Sequence, residues 1–343
     1  MKILIVGTKW YGNVEFFYAK AFRNLGHRVE VMYYNYPNKS LYEKFFSLRD
    51  ANIPIISERL KQFYKRKINN RLIRKTKEFK PQVIIIFNGL QIEANTLQIL
   101  KENEIILANW IGDDPRRFIE LKEKIIYYDN IFITEPSHVD LLTDKGARKI
   151  TYIPNATDEE IYHPLLKNKI DNFFRSDIAF VGHSYNADKN GILRGKILNS
   201  LSNYNLKIYG DPGWKKIIDK YPNLKNSFQN KITSSKETNM IYNASKIIIN
   251  IHHGQNRLST AQRTFEIASA GGFQLAEEKK AIKEMFPNNE IVCYENLEDL
   301  KNLVKYYLKN SKSRKAKINE ARKIVIKKHT YKNRASKILN NLN

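Results

Sequence analysis

The chain alternates short, nearly continuous apolar runs with longer segments of helical spacing. Lys2–Val6, Arg28–Tyr33, Gln82–Phe87, Glu104–Asn109, Asn130–Thr134 and Lys149–Ile153 are five- or six-residue runs rich in Ile and Val. That is the form of parallel strands covered on both faces. Helical patterns separate them: Asn13–Leu25, stopped by Gly26, then Leu41–Arg49 and Ser57–Phe79, where Leu60, Phe63, Tyr64, Ile68 and Leu72 share one stripe. Six strands within about 155 residues, each followed by a helix, predict a doubly wound α/β domain. Pro154–Phe174 has weak periodicity and a cluster of acids and reads as a linker. A second series follows, with strands at Asp177–Val181, Leu206–Tyr209, Ile247–Ile251, Phe273–Ala276 and Glu290–Cys293, and a less distinct one near Ser227–Gln229. Beyond Asn296 the pattern is helical throughout.

Length and composition narrow the class. At 343 residues, 42% apolar and 12% aromatic, the chain suits two globular domains. No apolar run approaches the roughly 18–20 residues of a membrane span, and Met1–Val6 is too short for a secretory core. The single Cys293 cannot form an intrachain disulfide and fits a reducing compartment, so a cytoplasmic protein is expected. The seven histidines and this cysteine lack metal-ligand spacing; no metal is expected.

Charge adds a second feature. The formal net charge is +24, and it is segregated. Arg59–Lys80 holds ten Lys/Arg against Glu78 alone, and 301–343 holds fourteen against Glu320 alone. A genome rich in lysine codons explains abundance but not segregation, so peripheral contact with an anionic membrane or with DNA through 59–80 and 301–343 is entertained.

Candidate chemistry concentrates in Arg263–Gly272, RTFEIASAGG. Ser259-Thr260 reads as an N-cap and Gly271-Gly272 as a left-handed stop. A strand, a polar loop and a helix N-terminus with an arginine in its second turn can hold phosphates. Glu266, one turn along, can take the two hydroxyls of a ribose. The bland alternative is an amphipathic helix with a surface Arg263–Glu266 ion pair. Elsewhere, Gly7–Asn13 forms a βα turn without dinucleotide-fingerprint spacing, and Val31–Asn35 ends in no acid, which counts against a nicotinamide enzyme. Asp113-Asp114-Pro115 ends a strand and can cap the next helix or present a carboxylate.

These residues resemble the donor site of GT-B glycosyltransferases, and the wording RTFEIASAGG resembles the branch that includes the CgeB-like spore-maturation enzymes. The resemblance implies two Rossmann-like domains facing across a cleft, residues 1–160 on the acceptor side and 161–328 on the donor side. The final segment, 329–343, begins at His329-Thr-Tyr-Lys-Asn-Arg334 and returns as a helix to the first domain. It implies a nucleoside-diphosphate sugar, most simply a UDP-sugar, as donor substrate, a hydroxyl acceptor and no cofactor. Gly182, His183, Ser184, Arg194, Ser259, Thr260 and Arg263 would meet the diphosphate and sugar, Glu266 the ribose, and Gly210 and Ile232 the base. Asp113, Asp114 and His138 would serve catalysis, with Gly12 and Asn13 on the acceptor side. Retaining members often carry an acid eight residues before the ribose-binding Glu, where this chain has Leu258. Two alternatives share the pattern: a nucleotide-sugar epimerase, and a nucleic-acid-binding protein or DNA-modifying glycosyltransferase.

Overall fold

A computed structural model describes residues 1–9, 14–35, 54–118 and 120–342. The predicted helix at 41–49 and the acceptor-side candidates Gly12 and Asn13 lie outside the described residues. The chain forms two units, 1–154 with 331–343, and 155–330.

The first unit carries β1 (Lys2–Gly7), α1 (Val14–Asn24), β2 (Arg28–Tyr33), α2 (Pro54–Phe79), β3 (Val83–Phe87) and α3 (Ala94–Lys101). It continues with β4 (Ile106–Ile111), α4 (Leu121–Ile125), β5 (Asn130–Ile133), α5 (Val139–Asp144) and β6 (Ile150–Tyr152). The sheet is parallel, in order β2-β1-β3-β4-β5-β6. All five residues of β3 are buried, because helices cover both faces of a central parallel strand. On one face, Leu4, Ile84, Ile86 and Leu107 pack against Ile68, Leu72 and Phe79 of α2. The C-terminal part of this basic helix's apolar stripe, Ile68 and Leu72, therefore belongs to its own core, while Phe63 is 54% exposed and Tyr64 half-buried. Several of its cations are also engaged: Lys65 with Glu120, Lys75 with Glu30, and Arg71 with the Tyr33 carbonyl. Arg66 and Lys67 remain exposed.

The second unit carries β7 (Ser176–Val181), α6 (Lys189–Asn199), β8 (Leu206–Tyr209), α7 (Trp214–Lys220), α8 (Ser235–Ala244) and β9 (Ser245–Asn250). Then come α9 (Gln262–Ala270), β10 (Gln274–Glu277), α10 (Lys280–Met285), β11 (Val292–Tyr294), α11 (Leu297–Lys309) and α12 (Ser311–Lys328). Its parallel sheet runs β11-β10-β9-β7-β8. The indistinct strand at 227–229 is a single bridge, Phe228 beside Ile208, closed by hydrogen bonds on either side of Ile208. The stretch read as a linker packs Tyr162 and Phe174 against Tyr209, Ile241 and Tyr242, so its two aromatics make it part of this unit.

Several boundaries differ from expectation: α2 begins at Pro54 and β9 at Ser245, ahead of the predicted Ser57 and Ile247. The strands predicted at Glu104 and Glu290 start two residues later, because Glu104 adopts φ 58° in a turn and the Glu290 carboxylate is drawn back to the Asn288 amide. The cap of α9 is Ala261, with no side-chain cap hydrogen bond, and not Ser259-Thr260. Both hydroxyls are turned inward instead, which places Arg263 in the first turn of the helix and not the second.

The last helix, α13 (Tyr331–Leu342), completes the first unit. Tyr331 is buried with its ring 4.9 Å from Phe17 and 5.2 Å from Tyr18. Arg334 donates to the Pro154 carbonyl at 2.8 Å, and Asn130 donates to the Asn341 carbonyl at 3.1 Å. Among the described residues no helix is long and apolar enough to cross a membrane. Truncating a buried aromatic of this kind removes about 3 kcal/mol or more. Tyr331→Ala should accordingly lower the urea midpoint of the protein followed by circular dichroism; an unchanged midpoint would remove α13 from the core.

Candidate active site

In the second unit, the carboxyl ends of β7, β8 and β9 and the start of α9 bring most of the predicted residues together. Gly182 follows β7, and its amide donates to the Tyr209 carbonyl at 2.9 Å while its carbonyl accepts from Trp214 Nε1 at 2.9 Å. A Cβ on Gly210 would lie 2.4 Å from that same Gly182 carbonyl, so the two strand ends meet only because a glycine is present. His183 is largely exposed, with Nδ1 3.2 Å from Asp211 Oδ2. Ser184 is fully buried: its amide and hydroxyl both donate to the Asp211 carboxylate. Burial alone would raise the Asp211 carboxyl, but the hydrogen bonds from Ser184 and the Gly213 amide outweigh it and hold it below the usual range. Ser184 thus shapes the loop from beneath. The sequence reading places Tyr209-Gly210-Asp211 beside the base and gives no sign that the Asp211 carboxylate holds the Ser184 loop.

After Ser184 the chain makes three successive left-handed residues, Tyr185 (φ 50°), Asn186 (φ 52°) and Ala187 (φ 61°). None is glycine, so the turn is strained. It sets the Tyr185 ring 4.5 Å from the Arg194 guanidinium carbon. Nothing in the sequence marks this turn.

Arg194 rises from α6 and is 2% exposed. It donates to the carbonyls of His183 (2.6 Å) and Ile251 (3.3 Å), and its Nε has no hydrogen-bond partner. Arg263 comes from the first turn of α9. The two guanidinium carbons lie 5.4 and 5.7 Å from one ring, that of Phe180. Burial first, and then the neighbouring Arg263 charge, pull the Arg194 guanidinium down to about 10. No carboxylate of the described residues forms an ion pair with either arginine. Two cations side by side without an ion pair among the described residues, at a helix N-terminus whose cap is not a side chain, are suited to meet an anion.

Glu266 is 9% exposed. It accepts from Gln262 at 2.7 Å, and no ion pair joins it to Arg263, so the surface-pair alternative is overturned. Burial raises its carboxyl above the usual range; the Arg263 charge and hydrogen bonds from Gln262 and Tyr162 oppose that rise without cancelling it. A carboxylate kept buried against its own desolvation is a functional-site signature.

Ser259 and Thr260 are buried behind this point. Thr260 Oγ1 lies 2.8 Å from His252 Nε2 and next to the Thr264 hydroxyl, and Asn250 donates to Thr264 at 2.9 Å. This chain of hydrogen bonds fixes the start of α9 to the end of β9. The Thr260 side chain is therefore part of this internal chain, while Ser259 accepts from Asn256 Nδ2 at 3.0 Å. Ile232 is 63% exposed on the loop beyond the Phe228 bridge.

In the first unit, Asp113 and Asp114 separate. Asp113 Oδ2 accepts from Asn88 Nδ2 at 2.8 Å, and Asn88 Oδ1 accepts from the Gly112 amide at 3.0 Å. Asp114 caps the single turn at Pro115–Arg117, accepting from the Arg116 amide at 3.0 Å and from its guanidinium. The Arg116 hydrogen bonds hold its carboxyl down at about 2. His138 is buried, with Nε2 4.0 Å from Asp114 Oδ1. Among the described residues no three His, Cys, Asp or Glu side chains gather as a metal site.

Comparisons agree on this architecture. Sucrose-phosphate synthase from Thermosynechococcus elongatus is similar in structure over 99% of this chain and 97% of that one, at 11% identity and a TM-score of 0.72. A glycosyltransferase from Rickettsia africae covers 99% and 97% at 16% identity and a TM-score of 0.67. Anabaena HepE, solved with UDP and glucose, covers 100% and 99% at 11% identity and a TM-score of 0.67. The fold is that of GT-B glycosyltransferases, with two parallel sheets. No curated protein matches the chain by sequence. Residues 194–340, the segment that begins at Arg194 and contains Arg263 and Glu266, match the family model described as glycosyl transferase-like.

Proposed function

We propose that the chain is a glycosyltransferase that takes a sugar from a nucleoside-diphosphate donor, a UDP-sugar, and passes it to a hydroxyl acceptor. The observation that carries this reading is the unpaired couple Arg194 and Arg263 over one phenylalanine ring, with buried Glu266 one turn away. The family match over 194–340 and the HepE structure solved with UDP and glucose support it.

The diphosphate sits against the two guanidiniums and the first amides of α9, and Glu266 accepts from the ribose hydroxyls. In the transfer, the bond from the sugar's anomeric carbon to the diphosphate oxygen breaks and its electron pair stays on the phosphate. That growing charge develops where the arginines already stand, so they stabilise the transition state more than the bound donor. They supply charge that a divalent ion supplies in other transferases. The acceptor oxygen bonds to the anomeric carbon and its proton leaves to a carboxylate. Asp113 is the better of the two acidic candidates, since Asp114 is committed to Arg116 and held at about 2. An epimerase would give product without any acceptor, so a product assay without acceptor separates the two chemistries.

Replacing Glu266 tests the donor assignment. Glu266→Ala removes two charge-assisted hydrogen bonds, together about 3 kcal/mol or more, and should weaken UDP binding by about a hundredfold in calorimetry. Glu266→Gln should melt no lower than the parent, because it relieves a buried charge. Unchanged UDP affinity in the alanine variant would refute the ribose role.

The acidic pair divides in a second experiment. Asp113→Asn should reduce turnover while leaving UDP affinity unchanged. Asp114, whose folded value of about 2 lies below its ordinary 3.8, contributes stability that is present above the ordinary value and fades as pH falls toward 2. Asp114→Asn should therefore lower the melting temperature at neutral pH and flatten its decline between about pH 4 and 2. If both variants only lower the melting temperature, Asp113 is structural as well.

A further inference from the structure

The left-handed run Tyr185–Ala187 is strained in a way that the fold itself does not require. Asparagine tolerates this backbone region, but tyrosine and alanine disfavour it, and all three residues stand in it. Starting α6 does not depend on the run. Asp188 caps that helix alone, accepting from the amides of Asn190 and Gly191 at 2.8 and 3.0 Å. The turn is nevertheless fastened at several points. The Ala187 amide donates to the Ser184 carbonyl at 3.0 Å and the Asn186 amide to the Ser184 hydroxyl at 3.2 Å. Lys216 donates to the Asn186 side chain at 2.8 Å. Backbone strain that the surroundings hold in place is characteristic of sites where it positions a functional group.

The group positioned here is the Tyr185 ring. The chain doubles back so that the ring meets a guanidinium from the helix that follows, 4.5 Å from the Arg194 guanidinium carbon and nearer than Phe180 at 5.4 Å. His253, on the loop after β9, braces the ring edge-on, with centroids 4.7 Å apart and planes at 63°. That loop is held to α6 in turn, because the Gly254 amide donates to Asn190 Oδ1 at 3.0 Å.

Arg194 has a use for such a contact. Its terminal nitrogens are fixed by the His183 and Ile251 carbonyls, which hold the edge of the guanidinium and leave its face. The side chain is 2% exposed, so water does not compete there, and an aromatic face attracts a cation most strongly where water is excluded. Burial and the Arg263 charge pull the guanidinium down, and Tyr185 is foremost among the groups that oppose them.

We infer that Tyr185 is a positioning residue for the donor diphosphate: its ring, set by the strained turn, holds the Arg194 guanidinium where the phosphates arrive. This rests on the donor reading given above, and it explains a turn that the donor contacts alone leave without a role.

On the full chain, UDP binding by calorimetry and uridine binding by ligand-detected nuclear magnetic resonance test the assignment. Tyr185→Leu and Tyr185→Met fill the space without an aromatic face. Both should weaken UDP about tenfold, as loss of a desolvated cation–π contact does, while uridine, which lacks the phosphates, binds as it does to the parent. Tyr185→Phe keeps the face and should bind UDP within about twofold of the parent. A role confined to holding the loop together would lower the melting temperature of the Leu and Met variants and leave the advantage of UDP over uridine unchanged. That result would overturn the inference, as would a Phe variant that loses as much UDP affinity as the Leu variant. A parent protein that binds no UDP would overturn the donor reading and this inference with it. UDP binding by the parent, matched by the Leu and Met variants, would overturn the inference alone.

Discussion

A guanidinium cannot be buried without acceptors, and Arg194 meets that requirement with backbone. Its two carbonyl partners belong to the loop after β7 and to the residue after β9, so one side chain ties neighbouring strand ends together. The rest of the second unit's site is built around that tie. Gly182 and Gly210 let the backbones close in, the Ser184–Asp211 latch locks the loop from below, and the chain from His252 through Thr260 and Thr264 sets the start of α9. Arg263 then arrives beside a cation that is already fixed. The arrangement is held by the protein's own hydrogen bonds, which is the kind of preorganisation that electrostatic stabilisation requires.

The apolar patterning made the fold legible. Val83–Phe87 and Ile247–Ile251 could only be strands buried on both sides, and Gly271 announced the end of α9 through its left-handed turn. In the candidate site, the spacing of Arg263 and Glu266 on one helix was legible, and the structure puts them in its first and second turns. The site was not legible where function depends on what a side chain turns toward. Ser259, Thr260 and Ser184 read as donor contacts through the amides of their loops, and the sequence does not reveal that their side chains are buried in internal hydrogen bonds. Asp113 and Asp114 are adjacent in sequence, and only the placement of Asn88 and Arg116 distinguishes them. The Tyr185–Ala187 turn left no trace, since none of its residues favours the left-handed region strongly enough to predict three in a row.

The charge asymmetry also takes a different form in three dimensions. Lys65, Arg71 and Lys75 lie in the most basic stretch of the chain, yet a carboxylate or a carbonyl holds each of them. A linear count of lysines therefore overstates the free positive surface of α2.

The place of α13 in the first unit has a consequence for synthesis. Domains generally fold in order as they leave the ribosome. Here the first unit emerges without the helix that covers Phe17 and Tyr18, and it must wait while the whole second unit is made. Residues 155–330 contain their own complete sheet and can finish first. The nascent chain thus matures from its middle outward, with an aromatic patch on α1 left open to solvent, or to a chaperone, until Tyr331 arrives.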